Sequence, residues 1–311
     1  RVFDAGGDHA KLKDFQGPFK TPLNYNKGFT NAVIFPAMIF GTQNREYGRM
    51  LMKNPDMLLH HNMNPPPWWN FKKKDRIYAD AFAPKTPRQL MPFARSLTAS
   101  DEEFEALEPN FVHIYQYIEE LEPPKYPFAI DQQLAARGKT LFEQTCSDCH
   151  GTYGDNAYFP NLVVPLDEVG TDSRRFYAVN EDQRARSNAS FLQYDGEHPL
   201  TMESEGYLAQ PLDGIWASAP YFHNGAAPTL WAVMNPAERP QIWKRSEDGY
   251  DQEKVGLEVE VFESIPSDLS GRQRRTYYDT SHVGNSAEGH TFPDALNAEE
   301  KQAVIEYLKT L

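Results

Sequence analysis

The sequence predicts a mainly α protein with extensive loops, divided into an N-terminal loop-rich part and a C-terminal helical part. Three observations predict it. Apolar residues recur at helical spacing behind capping residues at three places, beginning at Ser100, Asp131 and Asn297. The chain as a whole carries 24 prolines and an aromatic content of 13%, the mark of irregular, loop-built structure. A chain of 311 residues with 40% apolar content is long enough for about two domains with cores of their own.

Residues 1–43 show little periodicity, and Gly6-Gly7, Gly17-Pro18 and Thr21-Pro22 read as turns. The stretch from Asn44 to Leu59 has room for a short helix. Then come His60-His61 and the block Pro65-Pro66-Pro67-Trp68-Trp69. Polyproline is stiff and extended, so it holds the two indoles in place, as core or interface anchors or against the edge of a redox centre. Lys72-Lys73-Lys74 is a basic island in an acidic chain. It suits a solvated face first, and otherwise a carboxylate-bearing cofactor or an acidic partner.

Ser100-Asp101-Glu102-Glu103 starts a helix of the capping-box kind, and from Pro109 the residues Phe111, Ile114, Tyr115, Ile118 and Leu121 share a helical face. Pro123-Pro124-Lys125-Tyr126-Pro127 ends that helix and is the best boundary in the chain, giving regions 1–125 and 126–311. Asp131 caps a helix that presents Leu134, Gly138, Leu141, Phe142 and Thr145 on one face. Gly138 leaves room there for a second helix to approach. Its natural partner is the last helix, capped by Asn297 with Glu300 three residues on, whose stripe is Val304, Tyr307, Leu308 and Leu311. The long stretch between the two reads mostly as loop. Arg174, Arg175, Arg184 and Arg186 within it are ordinary surface arginines first and carboxylate partners second.

The first of these two helices leads into Cys146-Ser147-Asp148-Cys149-His150-Gly151, which holds the only two cysteines of the chain. Cys-x-x-Cys-His is the spacing for covalent c-type haem. Two thiols one short turn apart each add across a vinyl group, and the adjoining imidazole of His150 comes under the iron as proximal ligand. A disulfide across this spacing would be strained, and no second cysteine pair completes an all-thiolate zinc site. The expected cofactor is one haem c on this chain.

The sixth iron ligand decides the chemistry, since a histidine or methionine closes the site for electron transfer. After the motif the candidates are His198, His223, His282, His290, Met202 and Met234. His290 comes first, because Gly289 before it lets backbone approach a flat macrocycle. Met234, which closes the segment beginning at Tyr221, is second, and His282 is third.

Covalent haem is attached outside the bacterial cytoplasm, so a periplasmic or otherwise extracytoplasmic location is expected, with a leader ahead of Arg1. No apolar run has the length of a membrane span. A formal charge of −13 argues against nucleic acid and suits a neutral or basic docking partner.

Two packed helices with a haem at the end of the first resemble a class I cytochrome c. More specifically, Gly138-Lys139-Thr140-Leu141-Phe142 with the haem motif, then Ala219-Pro220-Tyr221-Phe222-His223-Asn224-Gly225, Thr229-Leu230 and Met234, resemble the C-terminal haem domain of the bacterial di-haem cytochrome c peroxidase superfamily. Gly289-His290, the closing Tyr307-Leu308-Lys309-Thr310-Leu311 and the Trp68-Trp69 block are most similar to its di-haem rubber oxygenase branch. The resemblance is specific over residues 126–311 and looser before. It implies a C-terminal haem that passes electrons and an N-terminal haem where peroxide or oxygen reacts. It also implies a tryptophan between the haems, for which Trp68 and Trp69 are the candidates. In the peroxidases the distal ligand is the methionine matching Met234; in the rubber oxygenase branch it is a histidine near the C-terminus, matching His290. The family carries two attachment motifs and this chain has one. Either a second haem sits on an N-terminal segment or fragment acting as redox partner, or the reactive haem has been lost. The alternative is a non-catalytic electron carrier or haem subunit of a larger complex.

Overall fold

A computed structural model of the chain describes residues 30–31, 61–91, 100–178, 180–189 and 199–311. The turns expected at Gly6-Gly7, Gly17-Pro18 and Thr21-Pro22, the short helix between Asn44 and Leu59, His60 and His198 lie outside them.

The elements that frame the site are five helices and five strands. In chain order they are α1 (Glu108–Glu119), α2 (Gln132–Thr145), α3 (Ser147–His150), β1 (Val163–Pro165), β2 (Gly206–Leu208), α4 (Leu230–Met234), β3 (Ile242–Asp251), β4 (Gly256–Phe262), β5 (Tyr277–Asp279) and α5 (Ala298–Leu308). A 3₁₀ turn, Trp68–Lys73, precedes them. Among the described residues no helix is long and apolar enough to cross a membrane.

The centre of the fold is the pair α2 and α5. Asp131 caps α2 by accepting from the N–H groups of Gln133 and Leu134, each at 3.0 Å. Asn297 caps α5 in a full capping box, with Glu300 N–H on its side chain at 3.1 Å and its own N–H on Glu300 at 2.9 Å. The helices cross at Gly138, where an added Cβ would lie 1.8 Å from the carbonyl oxygen of Ala303. The missing side chain is what lets the two backbones touch. Glu306 of α5 then accepts from the N–H of Asp131 at 2.7 Å, so one helix satisfies an orphan donor at the start of the other. Around this crossing Phe142, Leu230, Met234, Val304, Ile305 and Leu308 form the main core. The expected face of α2 holds for Gly138 and Phe142. Ala135 joins them in the interior, and Thr145 stays exposed.

Two expectations are corrected. In α1 the inward line is Phe111, Tyr115 and Ile118, whereas Ile114, one position off it, is 42% exposed. The stretch before α5 is also more than loop. β3 pairs antiparallel with β4, with a register break between Arg245 and Tyr250, and with β5 on its other side. The residues dictate this: Leu257 and Val259 turn inward while Glu258 and Glu260 turn outward, a strand period of two. Trp243 and Tyr278, partners in register, stack at 4.9 Å and seal the sheet's inner face. The fold is thus helical with small antiparallel sheets.

Candidate haem site

α2 ends at Thr145, and the chain turns at once into α3, which carries Cys146 at its cap and Cys149 and His150 within it. Gly151 follows with φ 79° and its α-carbon pressed on the backbone of Tyr158, where a Cβ would come 2.1 Å from that residue's carbonyl oxygen. Only glycine fits such a turn. The two thiols and the imidazole thereby face one cavity of about 290 Å³, bounded by Phe142, Val164, Leu230, Val304 and Leu308 among other apolar side chains.

His150 is oriented from behind. Its Nδ1 lies 2.8 Å from the carbonyl oxygen of Gln210, an arrangement that puts the proton on Nδ1 and leaves the lone pair on Nε2. A carbonyl behind the ring is the usual support of a metal-bound histidine. The hydroxyl of Tyr153 donates to the carbonyl of His150 at 2.9 Å and accepts from the N–H of Leu212 at 2.8 Å. Burial holds the imidazole below its ordinary pKa and keeps it neutral.

Across the same cavity stands His290, its ring centroid 6.3 Å from that of His150. A metal–imidazole bond of about 2 Å on each side, plus roughly 1.2 Å from each bonding nitrogen to its ring centre, gives about 6.4 Å for two imidazoles sharing one iron. The observed separation matches that sum. The position of His290 is secured by its backbone. Its N–H donates to Val169 at 2.7 Å, and Gly289 sits so close to Gly170 that a Cβ would approach that backbone to 2.2 Å. His290 itself adopts φ 48°, and Phe222, whose ring is 5.9 Å away, adopts φ 67°. Left-handed backbone at two bulky residues on one cavity is strain of the sort that gathers at functional sites. Burial first, then the neighbouring His150 imidazole and the Arg239 charge, push the His290 imidazole down to about 3, so it is the neutral, metal-binding form near pH 7.

The remaining candidates separate clearly. Met234 lines the cavity but is 4% exposed and packed in the main core. His282 lies outside the cavity lining, with Nε2 3.6 Å from Asp279. Pro65, Pro66 and Pro67 line the cavity, whereas neither indole does: Trp69 donates to the carbonyl of Asp213 at 2.7 Å, and Trp68 is 56% exposed. Arg175 is buried against Asp80 at 3.0 Å, and Arg186 pairs with Asp182 at 3.1 Å on the surface. The thiols of Cys146 and Cys149 are both pushed up by burial, the opposite of the lowered thiol that a redox Cys-x-x-Cys pair requires.

Sequence reasoning misses two residues, Arg239 and Gln210. Arg239 is a clamp: its guanidinium donates to the carbonyls of Ala232 at 2.9 Å and Val233 at 3.1 Å on α4, and to those of Gly289 at 2.7 Å and His290 at 3.3 Å. It thus fastens the His290 loop to the core. Gln210 supports His150 through its backbone, and no sequence pattern marks it. His223, only one candidate among six in the sequence, lines the cavity with its ring stacked on Tyr207 at 4.2 Å.

His223 gives a pH prediction. Burial first, then the nearby Arg175 charge, lower its imidazole to about 3. Between that value and the ordinary 6.5 the unfolded chain binds a proton that the folded chain refuses, so stability falls as pH drops through this window. The ceiling for one such group is about 5 kcal/mol. Denaturant unfolding is expected to show a loss between pH 7 and pH 4 that shrinks in His223→Asn; an unchanged loss assigns the effect elsewhere.

Comparison with known proteins finds likeness over part of the chain. Residues 206–244, which hold β2, α4 and the first residues of β3, match the family described as RoxA-like, cytochrome c-like, in keeping with the rubber oxygenase branch of the di-haem peroxidase superfamily. Two proteins of Sinorhizobium fredii are similar. The uncharacterized protein y4iM is 29% identical over 236 residues, covering 63% of this chain and 53% of that protein. The uncharacterized protein y4iJ is 28% identical over 259 residues, covering 61% and 41%. The chain thus spans about half the length of these relatives or less.

Proposed function

We propose that this chain, with its RoxA-like, cytochrome c-like segment, is an extracytoplasmic c-type haem protein that passes electrons, and that it forms the electron-transfer part of a di-haem, peroxidase-like oxidoreductase. The observation that carries the reading is the pair His150 and His290, 6.3 Å apart across one cavity that the two thiols also line. Haem bound there supplies a one-electron iron couple. Cys146 and Cys149 would fix its edge to α3, and the imidazoles of His150, oriented by Gln210, and of His290, held by Val169 and Arg239, would hold its iron. Apolar side chains wall the cavity against water. Residues 126–311 form the cytochrome c-like unit, supported by the α2–α5 crossing with the attachment motif at its end. Residues 1–125 belong to the remainder of a first haem domain.

Were His150 and His290 both to hold the iron, they would leave no open place for peroxide or oxygen there. Reaction with an oxidant would then need a second haem, on another segment or on a partner. Trp68, 56% exposed, offers an aromatic edge toward such a centre. The same closed coordination favours a second reading, in which the chain is a carrier or haem subunit with no reaction of its own.

Spectroscopy of holoprotein matured in a bacterial periplasm tests the proposal. The ferric protein is expected to be low-spin and six-coordinate, without the sulfur-to-iron charge-transfer band of methionine ligation, and to cycle reversibly at an electrode. A high-spin, five-coordinate ferric spectrum contradicts it. Consumption of peroxide by the holoprotein with an electron donor separates the oxidoreductase from the carrier.

A further inference from the structure

Lys72, Lys73 and Lys74 share a sequence character but not a fate. Lys72 pairs with Glu122 at 2.6 Å and Lys73 with Asp213 at 2.7 Å. Lys74 caps the turn Trp68–Lys73 in extended backbone, is directed inward and is 4% exposed, so a solvated face is the wrong description for it. Its ammonium donates to the side-chain oxygen of Gln210, a neutral group, and no carboxylate pairs with it among the described residues. An ammonium removed from water without a counter-charge is costly, and such groups answer by giving up their proton. Burial brings Lys74 down to about 7.

Gln210 joins this lysine to the haem site. Its side-chain oxygen takes the Lys74 ammonium, its amide donates to Leu208 at 3.1 Å, and its backbone carbonyl lies 2.8 Å from Nδ1 of His150. One residue therefore holds the lysine on its side chain and the proximal imidazole on its backbone.

Resting on the haem reading above, we infer that Lys74 is a redox-linked proton site, which takes up a proton from solvent when the haem beyond Gln210 is reduced and raises the haem potential while it is charged. The step balances. One electron from a reducing partner protein, or from an electrode, converts ferric to ferrous iron, and one proton converts the Lys74 amine to ammonium. Each added charge stabilises the other, so the coupling is reciprocal. The charged groups around Lys74 are already engaged or distant from neutrality. On its own segment Lys73 is paired and Asp75 is exposed. On the Gln210 segment Asp213 is the partner of Lys73. On the haem-motif side His150 is bound through Nδ1, and burial pushes the Tyr153 phenol far upward.

The test is the haem midpoint potential of the full holoprotein from pH 5.5 to 9, for wild type, Lys74→Met and Lys74→Arg, each checked for an unaltered low-spin spectrum. Wild type is expected to lose potential as pH rises through neutrality, with a slope approaching one proton per electron, up to about 59 mV per unit. Lys74→Met is expected to lie low and Lys74→Arg high, both nearly flat with pH. A variant that keeps the wild-type slope, or a wild type without one, overturns the inference and leaves the haem reading intact. Wild type without attached haem overturns both.

Discussion

Replacing His290 with alanine is expected to open the iron, turning a six-coordinate, low-spin spectrum into one that changes on adding carbon monoxide or free imidazole, with the haem still attached. The attachment set of Cys146, Cys149 and His150 is untouched by the change. No neighbour takes the vacated place: Met234 is fixed in the core beside Phe142, Leu230 and Val304, and His223 is stacked on Tyr207. Added imidazole is expected to restore the parent spectrum. Met234→Ala serves as the contrast. It removes a buried side chain and is expected to cost about 2 to 5 kcal/mol of stability while the spectrum stays six-coordinate. An unchanged spectrum in His290→Ala, or an opened iron in Met234→Ala, reassigns the distal ligand.

The second large effect is structural. Gly138→Ala places a methyl group 1.8 Å from the carbonyl oxygen and 2.4 Å from the carbonyl carbon of Ala303, and 3.0 Å from Cβ of Tyr307. Alanine improves helix propensity by about 1 kcal/mol over glycine. Against that gain, overpacking costs about 1 to 3 kcal/mol where side chains can shift, and more where the obstacle is backbone. Here the obstacle is the backbone of α5, so the two helices must part. A net destabilisation above about 3 kcal/mol is expected in denaturant unfolding, together with a disturbed haem spectrum, since the cavity is walled by Phe142 of one helix and Val304 and Leu308 of the other. A variant as stable as the parent contradicts the crossing.

Local signals were the legible ones. Asp131 and Asn297 announce helix starts because a short side-chain oxygen before an apolar period has few other uses, and Gly138 announces a crossing because glycine in a helix needs a reason. The strand β4 was equally local, in the alternation Leu257-Glu258-Val259-Glu260, yet proline and charge around it read as loop. Its pairing with β3 also depends on residues beyond the turn. The site was legible where chemistry is written in spacing, as at Cys146, Cys149 and His150. Arg239, Gln210 and the inward Lys74 act on carbonyls and amides brought near by folding, and a carbonyl has no signature in a sequence. Lys74 is the sharpest case, being indistinguishable in the chain from Lys72 and Lys73, which are only partly buried and are paired with acids.

The most direct measurement is the intact mass of the protein after unfolding and extraction with acidified organic solvent. The expected result is a chain heavier by one haem, with the added mass confined to the peptide that contains Cys146 and Cys149. A chain at the mass of its amino acids alone, with pigment in the solvent or none at all, contradicts the account.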